Sequence, residues 1–452
     1  MKKMLALLLA LVMVLSLVAC GKAEAPAADA PADAPADVPA DAPVQPDPEA
    51  SYEGRTISMA FTSTEFNDAY LAQIAAFEEK YGCKVDVEIL SSDSNEATNS
   101  IILRSSMGEL PDIFRLSVGA VTLKLDPANT LVDLSGYDFV ENISEAYIAA
   151  ASDAEGHLYA TPADTAKVAG VFYNKAVFNE LGLEIPTTWD EFLDVCVWIR
   201  DNTDMDPVSN PFDGTAGKQI AFFNQFYYVH EENENWVDQY VAREMTMFDS
   251  PAWVRGLQRL EDMYELDIQN ADPMSTSLED SARAICDGTA AFVFCRTNIL
   301  TSVMNVAPDK INDIGFFPLP DVDPNVRGVA TWMPTGWHMA QTCEDKELAA
   351  LLLEYLTTPE AVDVFCATIT PTGPIMLKNV ELPADVAPVV LEAQEWSNKA
   401  GWPVMEYFMS FYSVNLPDLL TMVLTGELTV EEAIPLIEAD YELAAIQQGV
   451  WE

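Results

Sequence analysis

The stretch Gly170–Phe192 reads GVFYNKAVFNELGLEIPTTWDEF, and it is the most specific signal in the 452-residue chain. Near its end, Thr188 and Glu191 have the spacing of a capping box, in which the side chain of each accepts a hydrogen bond from the backbone N–H of the other. The sequence therefore predicts that a helix begins just after Thr188. The apolar face of that helix includes Phe192, Val195 and Ile199.

The residues upstream of this stretch alternate between strand and helix patterns. A strand pattern over residues 57–61 is followed by apolar residues at helical spacing over 71–81, which Gly82 ends. A second strand is predicted over 85–89, then a polar helix, then a third strand over 112–116. This order is typical of an α/β fold with a parallel, helix-covered sheet.

Motifs in the rest of the chain keep the order found in a known family. Together with Gly170–Phe192 they resemble the family 1 extracellular solute-binding proteins, the maltose-binding-protein-like receptors of bacterial ABC importers. Asp164 departs from that pattern, since an apolar residue is usual there. The motifs that carry the resemblance are Gly156–Pro162, Gly217–Lys218 with the aromatic residues after it, Asp287–Phe292, Gly315–Pro320, Lys346–Glu360 and Leu424–Ala433.

The resemblance implies a two-lobe periplasmic-binding-protein-like fold of type II. Each lobe is expected to hold a helix-covered, mainly parallel sheet, and a hinge with three chain crossings joins the lobes. The crossings are expected near Thr165, near Trp332–Thr335 and near Glu381–Val386. Lobe 1 would take residues 51–165 and 336–380, and lobe 2 would take residues 166–335 and 381–452.

The same resemblance implies that ligand binds between the lobes, at loops leaving the carboxyl ends of strands. Sugar hydroxyls need hydrogen-bond donors and acceptors, and a flat aromatic ring suits the CH-rich face of a pyranose. Gly217-Lys218 would belong to a strand leading to such rings. The expected polar contacts are Thr62, Ser63, Glu65, Arg115, Ser117, Asp164, Lys167, Gln225, Arg296 and Asn298. The expected aromatic contacts are Tyr227, Tyr228, Trp332, Trp402 and Tyr412.

The beginning of the chain predicts export. Met1–Cys20 has two lysines, an apolar run and the ending Leu-Val-Ala-Cys, which resembles the lipobox of bacterial lipoproteins. Cys20 is therefore the expected lipid-bearing residue. Residues 21–50 are rich in Ala, Pro and Asp, a composition that favours an extended, disordered tether. The protein is expected on the outer side of the cell membrane.

Composition restricts the partners. The formal net charge is −49, whereas a nucleic-acid surface needs clustered Lys and Arg, so nucleic acid is not an expected partner. His157, His230 and His338 lie far apart, and no metal or cofactor is expected. The redox state of the six cysteines after Cys20 stays open, with a buried free thiol favoured for Cys196.

The function predicted from these observations is that of a substrate-binding lipoprotein, a monomer that hands a mono- or oligosaccharide to ABC permease subunits. A non-sugar ligand such as a polyamine, a peptide or a phosphorylated metabolite is an alternative. An exported lipoprotein glycosidase is a further alternative. The sequence contains no GxSxG, HExxH or P-loop motif that would favour an enzyme.

Overall fold

The structure, a computed structural model, describes residues 43, 45–63 and 67–452. The predicted signal peptide, Cys20, most of the predicted tether and Glu65 lie outside the described residues. The strands are β1 (Thr56–Thr62), β2 (Lys84–Leu90), β3 (Ile113–Leu116), β4 (Thr161–Pro162), β5 (Lys167–Asn174), β6 (Asp206–Ser209), β7 (Ala290–Arg296), β8 (Ile314–Phe317), β9 (Val329–Trp332), β10 (Gly336–Met339) and β11 (Gly401–Pro403).

These strands form two sheets. The first has the order β2-β1-β3-β10-β4, and the second has the order β11-β9-β5-β7-β6 with β8 beside β5. The expected α/β architecture is confirmed, but the expected mainly parallel pairing is wrong. In the first sheet β1 pairs in parallel with β2 and β3, whereas β10 runs antiparallel to β3 and β4. In the second sheet β5 runs antiparallel to β7, β8 and β9.

The direction of β10 has a simple geometric cause. The chain arrives at β10 from the second sheet, and Gly336 at its start lies opposite Leu116 at the end of β3. A strand that enters at the carboxyl end of its neighbour must run antiparallel to it. The sheets are therefore mixed because the chain passes back and forth between them.

Helices cover both sheets. Around the first sheet lie Asp68–Tyr81, Ser94–Met107, Ala120–Leu123, Pro127–Thr130, Glu145–Ala151, Lys346–Leu356 and Pro359–Thr368. Around the second sheet lie Lys175–Leu181, Trp189–Asn202, Thr215–Phe223, Phe226–Glu232, Trp236–Val241, Pro251–Glu265, Leu278–Asp287, Ile299–Val306, Pro388–Ala400, Leu416–Leu424 and Val430–Gln447. Short 3-10 turns occupy Asp138–Asn142, Met247–Asp249, Pro308–Asp313 and Met405–Tyr407.

The local helix signals are confirmed. Thr188 and Glu191 form the predicted capping box, and Phe192 and Ile199 are buried on the helix that follows. Gly82 ends the first helix in the left-handed conformation, at φ 70°. These caps satisfy backbone groups that a helix end would otherwise leave unbonded.

The expected Gly217-Lys218 strand is wrong, because both residues lie in the helix Thr215–Phe223. A short apolar run such as 220–223 fits a buried strand and a buried helix equally well, so its periodicity could not decide between them. Gly217 itself is required by close packing, since a Cβ there would lie 1.9 Å from the carbonyl oxygen of Pro211.

The cysteines after Cys20 are free thiols, and all except the partly buried Cys366 are buried. Cys196 has no exposed surface, as predicted, and its burial raises the pKa of the thiol. In the part of the chain that the structure describes, no helix has the length and apolar character needed to cross a bilayer.

Candidate functional site

Two short connections, residues 163–166 and 333–335, carry the chain between the sheets. The first follows β4 and the second precedes β10, and Pro162 and Gly336 pair with each other. Gly336 also lies opposite Leu116, the last residue of β3. Both connections therefore meet the first sheet at the carboxyl end of β3, the edge at which α/β folds bind ligands.

The second sheet meets the same connections with three predicted site residues. Lys167, which begins β5, pairs with Trp332, which ends β9. Arg296, which ends β7, lies opposite Ala169, two residues further along β5. Side chains two residues apart on a strand share a face, so Lys167, Arg296 and Trp332 lie on one face of the sheet. We call these three residues the strand-end group.

On the first sheet, Arg115 is the centre of a hydrogen-bonded network. Its guanidinium donates to Tyr70 Oη at 2.6 Å, to Asp164 Oδ2 at 3.3 Å and to the hydroxyl of Thr335. Tyr70 in turn donates to Asp164 Oδ2 at 3.1 Å. Arg115 is only 6% exposed, so this network fixes the edge of the first sheet and holds Asp164 at the connection.

The indole of Trp332 makes contacts on two sides. The guanidinium carbon of Arg296 lies 5.0 Å from the centroid of its ring, within the range of a cation–π contact. The indole Nε1 donates to Glu406 Oε2 at 3.1 Å. The ring is thus held in place beside the connection 333–335, while Trp332 itself stays partly accessible.

Lys167 and Glu406 are accessible to solvent and yet closely surrounded by protein. Burial of the ammonium, followed by the charge of Arg296, lowers the pKa of Lys167. Burial raises the pKa of Glu406, against the opposing effects of the Trp332 hydrogen bond and the Arg296 charge. Both pKa shifts thus reflect protein packed around groups that water still reaches.

A second candidate surface is built around a stack of His230 on Trp402. The ring centroids are 3.8 Å apart, and the angle between the ring planes is 8°. Both rings line a recess of about 570 Å³ and another of about 270 Å³, and burial lowers the pKa of His230. Tyr227 lines the larger recess, and burial raises the pKa of its hydroxyl to about 12.

Tyr228 and Gln225 are buried in the core and do not line a recess described above. Tyr228 is 2% exposed and donates to the carbonyl of Leu319 at 2.7 Å. Gln225 has no exposed surface and donates to Asp321 at 3.4 Å. The helical geometry of Phe226–Glu232 explains the difference from Tyr227, because consecutive side chains on a helix point about 100° apart.

The remaining predicted residues are dispersed. Thr62 and Ser117 line a recess of about 100 Å³ together with Arg115. Ser63 is exposed just after β1, and Asn298 is partly buried before the helix Ile299–Val306. Tyr412 is 63% exposed and stacks on no other ring of the described residues. Glu65 lies outside the described residues.

The sequence reasoning missed Glu406, Thr335 and Tyr407. Tyr407 donates to the carbonyl of Met333 at 3.1 Å, so the segment Met405–Tyr407 packs on the second connection. A Cβ on Gly119 would lie 2.5 Å from the carbonyl oxygen of Tyr407, so the same segment also contacts the loop after β3. No local pattern signals these contacts, because the partners are distant in sequence.

The chain matches the family model described as bacterial extracellular solute-binding protein over residues 62–363. The multiple sugar-binding protein of Streptococcus mutans is 28% identical over 144 residues, which are 32% of this chain and 33% of that protein. The putative ABC transporter periplasmic-binding protein YcjN of Escherichia coli is 20% identical over 269 residues, 58% of this chain and 60% of that protein. The alignments thus span less than two thirds of either relative.

Solved structures share the fold over nearly the whole chain. The apo-form of RafE from Streptococcus pneumoniae has a TM-score of 0.72 at 18% identity and covers 86% of this chain and 97% of its own. RafE in complex with raffinose has a TM-score of 0.66 at 19% identity, with 86% and 99% covered.

Proposed function

This chain belongs to the family of bacterial extracellular solute-binding proteins, and we propose that it captures a mono- or oligosaccharide and delivers it to the permease subunits of an ABC importer. The observation that carries the proposal is the strand-end group of the second sheet, where an aromatic ring and accessible donors lie beside the two connections to the first sheet. Rings and polar groups in this combination suit carbohydrate binding.

We propose that the two sheets are the centres of two lobes, residues 51–165 with 336–380 and residues 166–335 with 381–452. The connections 163–166 and 333–335 would then be hinge segments. A third crossing near 381–386 agrees with the packing, since Leu377 belongs to the core of the first sheet and Val386 to a cluster on the second. Ligand that touches both lobes only when they close shifts the hinge equilibrium towards closure.

The test of this function is a thermal-shift screen of the full chain against carbohydrates, with polyamines, peptides and phosphorylated metabolites alongside. A ligand that binds only the folded state adds about 2.7 kcal/mol of stability at a hundredfold excess over its Kd. We expect at least one carbohydrate to raise the Tm by a few degrees, to remain chemically unaltered and to compact the protein in small-angle scattering.

Two results would contradict the proposal. Hydrolysis of the carbohydrate by the purified protein would favour a glycosidase. A response confined to polyamines, peptides or phosphorylated metabolites would refute the sugar assignment while leaving the receptor role in place.

We further propose that the protein is a monomeric lipoprotein, anchored through Cys20 on the outer side of the cell membrane and extended from it by residues 21–50. The lipobox-like sequence supports this anchor. The variant Cys20→Ala is expected to leave the membrane fraction or to accumulate as an unprocessed precursor, because the lipid is attached through the cysteine sulfur. A processed, lipid-labelled Cys20→Ala protein in the membrane fraction would contradict the anchor.

A further inference from the structure

Positive charge is concentrated where the connections meet the sheets, although the chain as a whole carries 72 acidic and 23 basic residues. Arg115, Lys167 and Arg296 all lie in this region, and the charges of both arginines act on Lys167. Arg115 forms an ion pair with Asp164, with 3.3 Å between Nη2 and Oδ2. Lys167 and Arg296 remain on the accessible side of the region.

Neither Lys167 nor Arg296 forms an ion pair with any residue that the structure describes. Elsewhere the abundant carboxylates do pair with basic side chains, for example Lys175 with Glu392 at 2.7 Å and Arg104 with Glu88 at 3.0 Å. Acidic residues outnumber basic ones about threefold. Lys167 and Arg296 are nonetheless two neighbouring cations without an ion pair among the described residues, and the charges of Asp164 and Glu406 reach them only from beyond ion-pair distance. The mutual repulsion of the two cations is relieved when an anion binds between them.

We propose that the ligand is an anionic carbohydrate, a sugar bearing a carboxylate, which Lys167 and Arg296 hold beside the ring of Trp332. The proposal rests on the sugar-receptor function above and specifies its substrate class. A guanidinium fork matches a carboxylate with two parallel hydrogen bonds, and an ammonium adds a compact second charge. Trp332 supplies the adjacent apolar surface for the ring of the sugar.

Calorimetric titration of the full chain tests this assignment with matched ligands. The probes are digalacturonate and a glucuronate-bearing xylotriose, each against its neutral counterpart of equal length, and a sulfated galactobiose. We expect at least one uronate to bind about tenfold more tightly or better than its neutral counterpart. That preference should shrink as salt is added, because mobile ions screen accessible charges.

Variants test whether the preference for uronates comes from Lys167 and Arg296. Lys167→Met and Arg296→Met should each reduce the ratio of uronate to neutral affinity by about tenfold or more. Lys310→Met removes the same charge from an exposed pair with Asp313 and should leave the ratio unchanged. The salt dependence of the unaltered protein provides a second measurement that does not depend on how the variants fold.

The outcomes separate this inference from the function on which it rests. Equal or tighter binding of the neutral sugars would overturn the anionic-ligand proposal and leave the sugar receptor intact. Preference for the sulfated sugar over both uronates would overturn the carboxylate assignment. Failure of every carbohydrate to bind would overturn the sugar assignment on which this inference rests.

Discussion

Two arginines of the second sheet and its helices each lie against a tryptophan ring, but one is buried and ion-paired and the other is accessible and unpaired. Arg259 lies 5.1 Å from the ring of Trp189, and Arg296 lies 5.0 Å from that of Trp332. Arg259 is 2% exposed and donates to Asp321 at 2.9 Å. Arg296 is partly accessible and forms no ion pair with the described residues.

The difference follows from desolvation. A guanidinium removed from water must find a carboxylate and hydrogen bonds inside the protein, because leaving it unpaired costs several kcal/mol. A guanidinium that water still reaches needs no internal partner and stays available for a ligand. An unpaired accessible arginine is therefore a better indicator of a binding site than a paired buried one.

The largest effect is expected from removing the buried partner. Asp321→Ala should lower the free energy of unfolding by about 3–5 kcal/mol, because it leaves Arg259 without its buried counter-charge. Arg255 would lose the same partner, to which it donates at 2.7 Å. Chemical denaturation of the full chain measures the loss. A loss below about 1 kcal/mol would show that the buried Arg259–Asp321 pair stabilises the protein no more than an exposed ion pair does.

The same carboxylate gives a pH dependence. Burial would raise the pKa of Asp321, but the hydrogen bond from Arg255 and the charge of Arg259 outweigh it and hold the pKa below its usual range. The unfolded chain then binds the proton first, so the stabilisation is complete above about pH 3.9 and is lost as pH falls through the lowered pKa. When the free energy of unfolding is measured against pH, Asp321→Ala should lack this acid-induced loss of stability.

An intermediate effect is expected at the accessible tryptophan. Trp332→Ala should weaken binding of the carbohydrate found in the screen by about 1–3 kcal/mol, since it removes apolar contact from the cleft. The ligand-free Tm should change little, because Trp332 is only partly buried. Titration calorimetry and thermal unfolding of the same preparation measure both quantities.

Tyr228→Ala is the matched control for that experiment. Its ring is buried, so truncation should lower the free energy of unfolding by about 3–5 kcal/mol. Destabilisation of both variants with unchanged ligand affinity would refute the placement of the cleft at Trp332.

The smallest effect is expected from an exposed ion pair. Asp313 Oδ2 lies 3.7 Å from the ammonium of Lys310, and the side chains of Lys310 and Asp313 are 47% and 42% exposed. Asp313→Ala should change the free energy of unfolding by less than about 1 kcal/mol, because solvent screens such pairs. Denaturation beside Asp321→Ala makes the comparison direct. If the two variants lost equal stability, the distinction between buried and exposed charge would fail.

Much of the fold was predictable because its signals are local. The capping box of Thr188 and the helix end at Gly82 depend on neighbouring residues, and both were read correctly. The antiparallel strands were not predictable in the same way. The direction of β10 depends on Leu116 and Gly336 meeting across 220 positions of the sequence.

The residues of the candidate site also differ in whether the sequence or only the structure reveals them. Lys167, Arg296 and Trp332 stand at strand ends, and the family resemblance had made them candidates. Glu406 contacts Trp332 across 74 positions from a segment without periodicity, so only the structure reveals it. Tyr228 is buried on the helix Phe226–Glu232, and the apolar run before it did not reveal that helix.

The free thiols described earlier have a practical consequence for studying hinge motion. Burial raises the pKa of Cys196 and Cys295, which keeps these thiols protonated and slow to react with alkylating labels. Cys366 is only partly buried, unlike the other described cysteines, so it would need replacement before labelling. Fluorophores or spin labels attached to newly introduced surface cysteines, one on each sheet's outer helices, would then report the distance between the proposed lobes with little background from the native thiols.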